Sequence, residues 1–193
     1  MKWRQREPMD NIFEETVHHA VKTSRIYDTM YKMCGTSELK KLICFESPKP
    51  EIELYEIIDL THELKRIRHG FHSCVYIHLC RNNTYYVGYA TDAYLDKDTP
   101  KTTENIMLSR LSDHRRNGGQ TIPSNMTYLF PVVSCLTYFP GDKEDEDLMT
   151  ILMSKFAGNR VRGGEWASPF TSPEYPDMTV DEIKNKLLNR KTP

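Results

Sequence analysis

Apolar residues recur along this chain with two different periods. From Ile12 to Cys34 they fall every three or four residues, as Ile12, Phe13, Val17, Ala20, Val21, Tyr27, Met30, Tyr31 and Cys34. That is the period of a helix, with Asp10 placed as an N-cap and Gly35 as the stop. A second helix is predicted between Pro50 and Gly70, with Leu54, Ile57, Ile58, Leu64 and Ile67 on its apolar side. Leu39 to Phe45 suits a short helix or a strand equally.

After Gly70 the pattern changes. Phe71 to Cys80 and Tyr85 to Ala90 are β-branched and aromatic runs joined by polar Arg81-Asn82-Asn83-Thr84, which predicts a β-hairpin. A polar loop over 91–102 leads to a helix from Thr103 to Arg116, closed by Gly118-Gly119. Tyr128 to Tyr138 is strand-like, and Asp142 to Ala157 is a helix whose acidic start suits the macrodipole. Thr179 and Glu182 form a capping box ahead of Ile183, Leu187 and Leu188. The order hairpin, helix, strand, helix predicts an α/β (α+β) fold, a three-stranded antiparallel sheet flanked by helices. Residues 71–170 form that domain, after a helical N-terminal region (1–70) and before a tail (171–193) with a short helix.

Composition narrows the classes. With 193 residues and 38% hydrophobic content the chain can bury a core. No apolar run of about 18 residues predicts a membrane span, so no membrane partner is expected. The opening MKWRQREPMD has no apolar segment of a secretory signal. An intracellular protein of cytoplasm or nucleus is the expectation. The five cysteines are odd in number and lack zinc spacing, which fits buried reduced thiols. Asn125-Met126-Thr127 matches a glycosylation sequon, discounted in the absence of a secretory signal. A net charge of -1 argues against a non-specific polyanion binder, but the basic residues cluster, and local charge decides phosphate contact.

Those clusters sit among residues with chemistry to offer. Tyr76 and Tyr86 fall on adjacent predicted strands, where two phenols can share a face; in isolation either is an ordinary strand aromatic. Gly88 weakens a strand interior and marks a place where a backbone or ligand comes close. Arg110 and His114 stand four apart on one face of a helix, a planar fork and an imidazole suited to a phosphate. Arg115 and Arg116 follow, and a solvated basic face is the plainer reading of all four. Glu146 lies in the acidic run Lys143 to Thr150; one inward carboxylate suffices for Mg²⁺, which keeps several waters. Lys155, Arg160, Arg162 and Trp166 flank Gly163-Gly164, a stretch able to grip a phosphate backbone, stack on a base, or form a structural turn.

Cys74-Val75-Tyr76, Tyr86-Val87-Gly88, Arg110, His114 and Glu146, in that order, resemble the GIY-YIG nuclease superfamily over roughly residues 72–166. The run from Lys155 to Trp166, with Val161-Arg162-Gly163-Gly164 at its centre, resembles viral and microbial members, in which the glutamate precedes a threonine by four, here Glu146 and Thr150. The resemblance implies a GIY-YIG-like sandwich acting as a divalent-metal-dependent DNA endonuclease with Mg²⁺ (or Mn²⁺). It implies Tyr86 as general base, Tyr76 orienting water and phosphate, Arg110 stabilising charge, His114 assisting, and Glu146 holding a single metal. It also leans towards a viral or mobile-element origin.

Two departures stand out. Cys74 occupies the usual place of glycine, and 21 residues separate Gly88 from Arg110, so Tyr94 to Thr103 reads as an insertion. Cys74 and the near-neutral charge motivate an alternative, an inactive nuclease-fold module that binds nucleic acid or protein. The apolar stripe from Phe13 to Cys34 motivates a homodimer through the N-terminal helices.

Overall fold

A computed structural model describes residues 49–80, 83–117, 132–167 and 173–190, except the side chains of 115–117. The helix expected after Asp10, the segment Leu39 to Phe45 and the dimer contact assigned to that region lie outside the described residues. So do the side chains of Arg115 and Arg116.

Helix α1 runs Leu54–Ile67 behind a capping box of Glu53 and Glu56. Its buried stripe is Ile57, Leu60, Thr61 and Leu64, at the 3–4 spacing expected of one helical face. Ile67 does not belong to that stripe: it is 43% exposed on the last turn. Strands β1 (Ser73–Cys80) and β2 (Thr84–Thr91) form the predicted antiparallel hairpin. Helix α2 (Thr103–Asn117) follows, then β3 (Val132–Pro140), antiparallel to β1. Helix α3 (Lys143–Ala157) starts one residue later than expected because Asp142 is its N-cap, in a capping box with Asp145. Helix α4 (Val180–Asn189) opens on the predicted Thr179 and Glu182 box.

The sheet has four strands, not three. Val161–Gly163 forms β4, parallel to β2, giving the order β3-β1-β2-β4. A three-residue strand running into two glycines carries no alternation to read, so the pattern missed it.

Alternation along β1 and β2 divides two cores. Val75, Ile77 and Val87 pack with Ile57 and Leu64 of α1, Met149 and Leu152 of α3, and Ile183 and Leu187 of α4. Cys74, Tyr76, Cys80, Tyr86 and Ala90 face the opposite side, against Ile106 and Met107 of α2. Arg68, just past α1, ties the first layer together. Its guanidinium forks onto Asp145 at 2.6 and 3.0 Å and donates to the carbonyls of Pro140 and Leu187. Among the described residues no helix is long and apolar enough to cross a membrane.

Candidate active site

The second face of the hairpin gathers the aromatic residues. In register, Tyr76 stands opposite Gly88 and His78 opposite Tyr86. The two tyrosines therefore share a face as expected, on a diagonal, with ring centroids 6.4 Å apart. Gly88 does admit a close neighbour, but the neighbour is the Tyr76 ring itself. A Cβ on Gly88 would fall inside contact distance of Tyr76 Cζ and Oη. Glycine opposite the first tyrosine is thus a steric requirement of the hairpin.

Helix α2 lays Arg110 and His114 over this face, at 8% and 1% exposure. His114 Nε2 is 3.0 Å from the Tyr76 hydroxyl, and its ring stands edge-on to Tyr86 at 5.3 Å. Burial, with the charge of Arg110, pulls the His114 pKa down to about 3, so the imidazole is neutral at physiological pH. Burial raises both phenols. Tyr86 is raised further by the Glu146 charge, and Arg110 opposes the rise in each. Burial also works against the charge on Arg110, but the facing phenols of Tyr76, Tyr94 and Tyr86 hold its pKa above the ordinary value. Arg110 donates to Asp113 at 3.2 Å, while its buried Nε has no hydrogen-bond partner among the described residues. A buried donor left so is costly.

Of the acids at the start of α3, Asp145 and Glu146 are both buried. Asp145 is committed to Arg68. Arg190 reaches Asp142 at 2.7 Å and also pairs with Glu144. Glu146 keeps a lighter set of partners: Oε1 accepts from Gly164 N at 3.2 Å, and Lys143 lies 3.7 Å from Oε2. Burial raises its pKa, partly offset by Lys143 and the Gly164 amide. The influence of Glu146 on both phenols puts its carboxylate in the same electrostatic neighbourhood. Among the described residues no group of three or more His, Cys, Asp or Glu could hold a metal. The donor set on offer is one carboxylate, which suits Mg²⁺ with its waters.

The Gly163-Gly164 stretch takes on a structural role. Gly164, at φ +49°, donates to Glu146, and the next amide, Glu165 N, donates to Asp147 at 3.1 Å. Asp147 lies where a Cβ on Gly164 would go, and the Val87 carbonyl and Thr150 Oγ1 crowd Gly163. Thr150 also donates to the Glu146 carbonyl at 2.7 Å. The two glycines let the chain after β4 clamp the first turn of α3.

The basic residues around this stretch are engaged internally. Arg162, expected at a nucleic-acid surface, is 1% exposed and donates to the carbonyls of Asn159 and Val161. That corrects its assignment: it is a core residue beside the Tyr175 phenol. Arg160 donates to the carbonyls of Ala157 and Asn83, and Lys155 pairs with Glu51. Trp166 donates to the Glu174 carbonyl at 3.1 Å and packs on Tyr175, the structural-turn role. Cys74 is fully buried on the hairpin opposite Ala90, and burial pushes its thiol to about 12.

Two residues of the site were not anticipated. His78 is fully buried, stacked on Tyr76 at 4.4 Å and edge-on to His114 at 5.4 Å. The register of β3 against β1 shifts at Ile77/His78, an irregularity of the kind that re-aims side chains beside functional sites. Its signal was the two-residue step from Tyr76. Tyr94, in the short 3₁₀ turn Asp92–Tyr94, stacks on the Arg110 guanidinium at 4.5 Å. Nothing local in the sequence marked it. No family model, curated protein or solved structure matches the chain, so the case for the site rests on its own geometry.

Proposed function

We propose that the protein is a divalent-metal-dependent endonuclease that hydrolyses phosphodiester bonds in DNA. The observation that carries this reading is convergence. Residues distant in sequence supply a phenol on a neutral imidazole, an arginine with an unsatisfied buried donor, and a lightly partnered buried carboxylate whose charge is felt by both phenols. Ordinary core packing does not require that combination, and phosphoryl transfer uses each part.

The Arg110 guanidinium binds the scissile phosphate and offsets charge as the phosphorus becomes five-coordinate. The hydrogen-bond pattern favours Tyr76 over Tyr86 as the proton acceptor. Tyr76 takes a proton from the attacking water as its own passes to His114 Nε2, 3.0 Å away. This needs the tautomer with the proton on Nδ1. Tyr86, raised by burial and by Glu146, stays a neutral phenol and donates a hydrogen bond to the water or the phosphate. Glu146 would hold the cation, which supplies Lewis acidity at the phosphate and leaving oxygen. The test is cleavage of DNA with Mg²⁺ or Mn²⁺ by the wild type and by folded Glu146→Ala and Arg110→Ala variants. Cleavage by the wild type alone supports the proposal.

A further inference from the structure

The described residues include five well-exposed large hydrophobic side chains, Tyr55, Ile67, Tyr94, Leu108 and Val133. Tyr94 is set apart by its neighbour, the phosphate-binding candidate Arg110, whose guanidinium carbon lies 4.5 Å from the ring centre. Tyr94 nonetheless keeps 48% of its exposure as a residue. With Arg110 over one side of the ring, that exposure leaves aromatic surface available to a ligand. Its backbone is held in place. Leu95 N donates to the Asp92 carbonyl, and Ser109 Oγ on α2 donates to the Tyr94 carbonyl, both at 3.0 Å. The platform is therefore presented by a pinned turn.

Stacking on a guanidinium face keeps its N–H groups in plane for hydrogen bonds, so Tyr94 orients the Arg110 fork and also offers a second surface beside the bound phosphate. Every base has a π-face, and aromatic platforms next to backbone-binding cations are how single strands are held. Inside an intact duplex both faces of each base are already stacked, and exposing one costs unstacking energy. We infer that Tyr94 stacks on an unpaired nucleobase adjacent to the phosphate held by Arg110. The preferred substrate is then DNA with an unstacked base at the cleavage point, not fully paired duplex. This rests on the nuclease reading and adds a substrate class to it.

The test is equilibrium binding, in EDTA, of 2-aminopurine oligonucleotides in three forms: single-stranded, bulged duplex and fully paired duplex. The wild type binds the two unpaired forms more tightly and quenches their fluorescence. Tyr94→Leu weakens both by roughly 5- to 150-fold, the range for one lost base stack, and leaves the paired duplex unaffected. Tyr94→Phe restores the preference, and Tyr55→Ala, on an exposed ring of α1, does not alter it. Circular dichroism checks that each variant is folded. Equal wild-type affinity for all three forms, or an equal loss on all three in Tyr94→Leu, overturns the inference. A wild type that cleaves paired and unpaired DNA with the same kcat/KM upholds the nuclease reading and overturns this one. A protein that binds none of the three and cleaves none of them in Mg²⁺ or Mn²⁺ overturns both.

Discussion

Gly88→Ala tests how the hairpin positions its first tyrosine. In an ordinary strand, alanine replaces glycine with a gain of about 0.5–1 kcal/mol, because glycine loses more backbone freedom on folding. Here the new methyl meets Tyr76 Cζ and Oη, and the strand backbone leaves the ring as the part that must move. Overpacking of this kind costs about 1–3 kcal/mol. A displaced ring also gives up the 3.0 Å bond to His114, leaving polar groups unsatisfied in a buried site. The net expectation is a destabilisation of about 1–3 kcal/mol, or a fall in Tm of roughly 2–12 °C for a domain of this size. Urea denaturation of a double-mutant cycle with Tyr76→Ala isolates the cause. With the ring removed, Gly88→Ala regains its ordinary sign and stabilises by about 0.5–1 kcal/mol. If it stabilises in both backgrounds, the ring does not occupy that space and the geometry of the site is wrong.

Two further outcomes follow from the buried charges. His114 has a folded pKa of about 3 against an ordinary value of 6.5. Below that ordinary value the unfolded chain takes up a proton that the folded chain refuses. His114 therefore contributes stability that is present above pH 6.5 and lost as pH falls towards 3. Relative to His114→Gln, the wild type loses stability with a slope approaching ~1.4 kcal/mol per pH unit below pH 6, measured by urea unfolding; parallel curves would show that the imidazole is not buried neutral. Arg68→Met leaves Asp145 with the Arg190 Nε at 3.4 Å as its remaining cation, beside the Asp142 amide at 2.9 Å, and costs about 3 kcal/mol, the lower end for a broken buried pair. A denaturation midpoint unchanged by Arg68→Met would remove this pair from the account of how the start of α3 is held.

Most of the fold was legible because its elements carry clean periods. The helical stripe through Ile57 and Leu64, the alternating hairpin and the Thr179 capping box are each local and complete within one element. The fourth strand was not legible, because Val161–Gly163 exists only through its pairing with β2. The same distinction divides the site. Arg110 and His114 share a helical face by spacing alone, and Tyr76 and Tyr86 share a sheet face by alternation. The diagonal offset that sets Tyr76 over Gly88 needs the register. Which acid stays available near the phenols was also a tertiary matter. It depends on Arg68 and Arg190, which engage Asp145, Asp142 and Glu144 from outside the motif. The arginines near the paired glycines looked like a phosphate grip because composition cannot say which way a guanidinium points. Arg162 points into the protein.

The central claim is that this cluster cuts phosphodiester bonds. Its most direct measurement is cleavage of single-stranded, bulged and paired DNA in Mg²⁺ and in Mn²⁺ by the wild type and by Glu146→Ala, with EDTA as the control. The account predicts metal-dependent products from the wild type and none from a folded Glu146→Ala protein. No cleavage of any substrate by the wild type with either metal, or equal cleavage by Glu146→Ala, would contradict it.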